Sequence, residues 1–121
     1  MEPTIIELRP GLDDIIAAVR EALLTRVERD VRAIEHATAD LGRARQRHAR
    51  LDAVIRTAHT LKGTAGTVGL ADIGRAASDV ESAARAPRVS RVRLAAAVGR
   101  LAVEARRAAG ASCPTAPSPA A

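Results

Sequence analysis

The chain contains no Phe, Tyr or Trp. A core built without rings must come from Leu, Ile, Val and Ala. Such side chains fill the narrow seams between packed helices better than the wide interior of a sandwich or barrel. Cysteine is nearly absent as well: Cys113 is the one thiol, which excludes an intramolecular disulfide. It lies in residues 110–121, a stretch rich in Ala, Pro and Ser whose composition reads as disordered. No basic or helix-terminal setting marks it as a reactive thiol. No stretch approaches the roughly 18 apolar residues of a membrane span. Glu2 and Glu7 stand where a signal peptide would need a basic and then an apolar run, so a cytoplasmic protein is expected. Lysine is the last scarcity. Nearly all the positive charge is arginine, and the single lysine is Lys62.

What remains is a chain of 121 residues, sized for one domain, with 47% hydrophobic residues and a formal charge of +5. A base composition rich in G and C is enough to enrich Arg and Ala, so the charge carries little functional weight. Nucleic acid or an acidic protein face stay open as partners of a basic chain.

Helical spacing dominates the pattern. Residues 1–11 form an N-terminal segment in which Thr4–Leu8 reads either as a short extra helix or as an extended piece, ended by Pro10 and Gly11. A long amphipathic helix begins at Leu12, with Asp13 and Asp14 suited to its first turn. Its apolar stripe is Ile15/Ile16, Val19, Leu23, Val27, Val31, Ile34 and Leu41, and Gly42 is a plausible end. A second helix spans about Ala44–Val68 and buries Leu51, Val54, Ala58, Leu61, Ala65 and Val68, with Gly69 as its C-terminal cap. A third covers about Leu70–Arg85 through Leu70, Ile73, Ala77, Val80 and Ala84, and Pro87 stops it. Ser90 caps a fourth that carries Leu94, Val98, Leu101 and Ala105. Gly110 closes the folded part. Short connections make neighbours antiparallel, so residues 12–109 are expected to form an all-α, up-down four-helix bundle. No strand signal and no internal repeat appears.

One stretch violates helix propensity while keeping the helical period. Residues 59–69 hold three glycines and three threonines, and each interior Gly costs about 1 kcal/mol relative to Ala. Conflict of this kind inside a consistent pattern is a mark of functional sites. At about 100° per residue, Lys62 lies about 60° to one side of His59, Gly63 about 40° to the other, and Gly66 within about 20°. The stripe of Leu61, Ala65 and Val68 centres on the opposite side, so His59 should face solvent. A neutral imidazole nitrogen is a nucleophile near pH 7 and can form a phosphoramidate. Lys62 can neutralise the added charge from one turn away. The glycines either clear the surface for a second protein or permit close helix crossing. His36 and His48 have no such company and read as ordinary surface histidines.

The run Ala58-His59-Thr60-Leu61-Lys62-Gly63-Thr64-Ala65-Gly66-Thr67-Val68-Gly69-Leu70 resembles the signature of bacterial histidine-containing phosphotransfer (HPt) domains. Val80-Glu81 is similar to the Leu-Glu pair that follows it in that family. The motif covers about 25 residues; the first and last helices match in length and pattern only. The resemblance implies a four-helix bundle that relays phosphoryl groups to or from the aspartate of a response-regulator receiver domain, with a hybrid histidine kinase as the other partner. By the same carry-over His59 is the phosphorylation site, Lys62 the charge partner and Gly63 the clearance residue. Gly66, Arg56 and Thr67 are further candidates for partner contact. Glu81 is a candidate either for orienting the His59 ring or for a helix-end salt bridge. The histidine domains of chemotaxis-type kinases often carry a second histidine three residues before the glutamate; here that place is Ser78. No cofactor is expected, and any Mg²⁺ would belong to the receiver. A monomer is expected because the active face must stay free.

Other readings fit less well. A kinase dimerisation domain would continue with an acidic residue and a proline, whereas Thr60-Leu61-Lys62-Gly63 follows His59, and the chain has no room for an ATP-binding domain. Gly63-Thr64-Ala65-Gly66 satisfies the GxxG pattern of KH loops, and Arg43, Arg45, Arg47 and Arg50 make a basic cluster at the start of the second helix, so a basic helical nucleic-acid binder is the alternative. A KH domain needs a sheet, and none is expected. Lys62-Gly63-Thr64 lacks the order of a P-loop. No metal-ligand cluster of Cys, His and acidic residues appears.

Overall fold

A computed structural model describes residues 11–39, 41, 44–67 and 70–112. They form four helices: α1 Gly11–Ala39, α2 Ala44–Thr67, α3 Ala71–Arg85 and α4 Arg91–Ser112. Each helix packs on two others, in the cycle α1–α2–α3–α4–α1, with no diagonal contact among the described residues. This is the expected antiparallel bundle, and no strand occurs among the described residues to supply a KH sheet. The N-terminal segment up to Pro10, including the short extra helix considered for Thr4–Leu8, lies outside the described residues, as do the cap assigned to Gly69 and the thiol of Cys113.

Local chemistry sets the helix ends. Ser90 Oγ accepts the Arg93 N–H at 3.2 Å, the N-cap bond expected of it. Ala86 sits at φ −58°, ψ 142°, the extended conformation that a following proline imposes, and α3 stops there. At the end of α2 the Leu70 N–H donates to the Ala65 carbonyl at 2.9 Å, a six-to-one closure of the Schellman kind. The expectation that Gly110 ends the folded part is corrected, because α4 continues to Ser112. A lone glycine costs a helix only about 1 kcal/mol, and the alanines around Gly110 are strong helix formers.

The core is entirely aliphatic. Val27, Val31, Ile34 and Leu41 from the α1 side meet Val54, Ala58, Leu61 and Ala65 of α2, Leu70 with Ile73, Ala77, Val80 and Ala84 of α3, and Leu94, Val98, Leu101 and Ala105 of α4. No polar side chain is buried among the described residues. One part of the α1 stripe departs from expectation: Ile15, Ile16 and Val19 are exposed, and Leu23 is only half-buried. The helical period was read correctly, but α1 has 29 residues against 24 in α2 and 15 in α3, so its N-terminal turns extend past the elements that could cover them.

Candidate functional site

The buried stripe of α2 dictates what lies opposite it. Val54, Ala58, Leu61 and Ala65 are each at most 1% exposed, which turns the other side of the helix outward. His59 is there, with its side chain 69% exposed. Lys62, Gly63, Gly66 and Thr67 are exposed on the same helix. The structure therefore brings together the residues that the spacing placed on one face.

The two glycines now separate their alternative roles. A Cβ built on Gly63 or Gly66 would meet nothing within 4 Å, so neither glycine is needed for a helix crossing. Their free surface is available to another molecule. Gly74 of α3 is the contrasting case: its Cβ would stand 3.8 Å from Ala65 Cβ and 3.9 Å from the Lys62 carbonyl, where α2 and α3 run close. The threonines between the glycines spend their hydroxyls on the helix itself, Thr64 Oγ1 donating to the Thr60 carbonyl at 3.1 Å and Thr67 Oγ1 to the Gly63 carbonyl at 3.0 Å.

The ring of His59 is held from α3. Its Nδ1 lies 3.2 Å from Glu81 Oε2 and 3.4 Å from Oε1. An ionised carboxylate only accepts, so Nδ1 carries the hydrogen and Nε2 keeps its lone pair. Glu81 is in turn held by Arg85, whose Nε donates to Oε2 at 3.0 Å. The two contacts considered for Glu81 thus coexist in one carboxylate: it meets the His59 ring and also closes an i,i+4 salt bridge with Arg85. Arg85 is the residue that sequence reasoning missed. Its place four residues after Glu81 was the available signal.

Glu81 is only 13% exposed, and its desolvation would by itself raise its pKa. The hydrogen bond from Arg85 and the charge and hydrogen bond of His59 outweigh that, and the net shift is downward from the ordinary 4.5. A carboxylate depressed in the folded state contributes stability above its unfolded pKa and loses it as the pH falls through the folded one. The ring support therefore stays in place at neutral and mildly acidic pH. A carboxyl carbon titration of Glu81 followed by NMR should give a midpoint below that of a free glutamate in the same buffer.

On the other flank of His59 the bundle has a shallow groove of about 280 Å³ between α1 and α2, lined by Arg26, Asp30, Ala53, Arg56, Thr57 and Thr60. This places Arg56 beside the site and adds Arg26, which nothing in the α2 motif could have indicated because it comes from a different helix. Among the described residues no carboxylate pairs with Lys62, and no group of three His, Cys, Asp or Glu side chains gathers as a metal site. His48 pairs with Asp52 at 3.7 Å on an open surface, and His36 is exposed in the last turn of α1. Neither resembles His59.

The geometry makes a second testable point. Gly63→Ala should stabilise the protein by up to about 1 kcal/mol, since it removes a helix-interior glycine into open space. Gly63→Gln should also leave the fold intact, because its side chain would extend into open space. Thermal melts on the two variants check this.

A family model described as the Hpt domain matches residues 12–109. Comparison with curated proteins and with solved structures found no match.

Proposed function

The chain belongs to the Hpt domain family, whose members carry phosphoryl groups in phosphorelays, and from that premise we propose that His59 is its phosphoryl-accepting residue. The observation that carries the reading is the state of the ring: its Nδ1 is held by Glu81, and its Nε2 is free on an exposed face. The donor and acceptor partners are the phospho-aspartate and aspartate of receiver domains.

In the forward step the Nε2 lone pair attacks phosphorus as the bond to the aspartate oxygen breaks, and the aspartate leaves as a carboxylate. No proton has to move. The ring gains positive charge, which the Glu81 carboxylate stabilises through the Nδ1–H. Lys62 offsets the charge of the phosphoryl oxygens, and Gly63 and Gly66 let the partner's carboxylate approach in line. Arg56 and Thr67 lie at the margin of that approach. The reverse step follows the same path, so the protein is a carrier rather than a kinase. No helix among the described residues is long and apolar enough to cross a membrane.

The test is exchange with a receiver domain. A receiver carrying ³²P on its aspartate should pass the label to this protein without ATP, and unlabelled receiver added later should take it back. Absence of exchange across a panel of receivers would refute the proposal.

A further inference from the structure

The positive charge of the chain is not spread evenly. Residues 88–112 carry six arginines against one acid, Glu104, so this segment alone accounts for the formal charge of +5. Three of those arginines, Arg88, Arg93 and Arg100, line one groove between α3 and α4. All three are exposed, and among the described residues no carboxylate pairs with any of them. Further along the two helices Arg75 and Arg107 are already matched, to Asp72 and Glu104. The unmatched charge is therefore local. The groove measures about 580 Å³, against about 280 Å³ for the one beside His59. Sites for small molecules span roughly 300–1,000 Å³.

The two ends of this groove differ. α3 and α4 are antiparallel neighbours, so Arg88, Ser90 and Arg93 gather at one end and Asp79 and Arg100 at the other. Arg93 and Arg100 stand seven residues apart, about 10 Å along α4. Between the ends the lining is alanine, Ala83 and Ala97 among it. Such small side chains leave room over an apolar floor for a planar ring.

Each end calls for a different group. The guanidiniums of Arg88 and Arg93 match phosphate oxygens, which they grip as planar forks. Ser90 Oγ already accepts the Arg93 N–H, and its own hydrogen remains to donate. The Asp79 carboxylate only accepts, so its end needs N–H donors from a ligand. Like the arginines it has no ion-pair partner among the described residues, although it shares their groove. An inorganic polyphosphate or an acidic peptide would satisfy the arginines but meet Asp79 with like charge. A nucleotide satisfies both ends.

We propose that the α3–α4 groove binds a nucleoside polyphosphate. Its phosphates lie on Arg88 and Arg93, its base lies on the alanine floor, and an N–H edge of the base meets Asp79. Arg100 flanks the base end and adds to the attraction. The groove is independent of His59: Asp79 and Ser82 fall about 160° and 100° round α3 from Glu81, which meets the His59 ring. No bond in the ligand is made or broken, and none of its phosphoryl groups passes to His59.

The test is calorimetric titration of the full chain with ATP, GTP and CTP, and with inorganic triphosphate. An ionic strength of about 0.15 M screens diffuse attraction to a basic protein. At least one nucleotide should bind one-to-one, about tenfold or more tightly than inorganic triphosphate. Arg88→Gln/Arg93→Gln should weaken that binding about tenfold or more. Arg45→Gln/Arg47→Gln removes the same charge from α2 and should change it less than about twofold. Both pairs are exposed, so the free variants should melt like the wild type. Asp79→Ala should cut the advantage of nucleotide over inorganic triphosphate to less than about twofold. An advantage that survives this substitution overturns the placing of the base. The site itself is overturned by any of three results. These are no saturable binding, equal losses in the two double variants, or inorganic triphosphate or an oligoglutamate peptide binding as tightly as every nucleotide.

Discussion

His59→Gln should abolish phosphoryl acceptance, with a loss of more than about 10³-fold in transfer rate. Glutamine keeps a polar side chain that can donate its amide hydrogen to Glu81, but it has no nucleophilic nitrogen. The variant should melt like the wild type, because the side chain is 69% exposed. The other histidines cannot replace it. Three residues after His36 stands Ala39, and three after His48 stands Leu51, where Lys62 follows His59. Transfer assays with a labelled receiver, run beside a thermal melt, separate lost chemistry from lost fold.

Lys62→Ala should slow transfer by about 10²-fold, the usual consequence of removing one charge that acts on a reacting oxyanion. The effect should fall on the single-turnover rate more than on KM, since in the proposed step the ammonium acts on charge that shifts as the phosphoryl group moves. Stability should not suffer: Lys62 is exposed, and Ala is the better helix former. Lys62→Arg should recover part of the rate, since charge returns but a planar fork replaces a mobile point charge. A rate equal to wild type in Lys62→Ala would show that the ammonium plays no part in transfer.

The candidate site was legible in the sequence because its proposed residues lie mostly within one helix. Spacing alone orders His59, Lys62, Gly63 and Gly66 around an axis, and the apolar residues between them fix which side is outward. What spacing cannot give is the register between helices. Glu81 could not be assigned to one role because its height relative to His59 depends on how α3 docks on α2. Once docked, the one carboxylate meets both His59 and Arg85. Arg26 was hidden for the same reason. The α1 stripe shows a different limit. Periodicity marks Ile15, Ile16 and Val19 as an apolar face, but burial also needs a neighbour, and α1 extends beyond its neighbours. Gly110 shows a third: a residue that often ends helices does not end one when the surrounding propensity is high.

Direct localisation of the phosphoryl group decides the central point. After exchange with a phosphorylated receiver, the wild-type protein is examined by ³¹P and ¹⁵N NMR and by peptide mapping under alkaline conditions. The expected product is one acid-labile phosphoryl group on Nε2 of His59, with the Nδ1–H still held by Glu81. A phosphoryl group on His36 or His48, or an acid-stable ester on a serine or threonine, would contradict it.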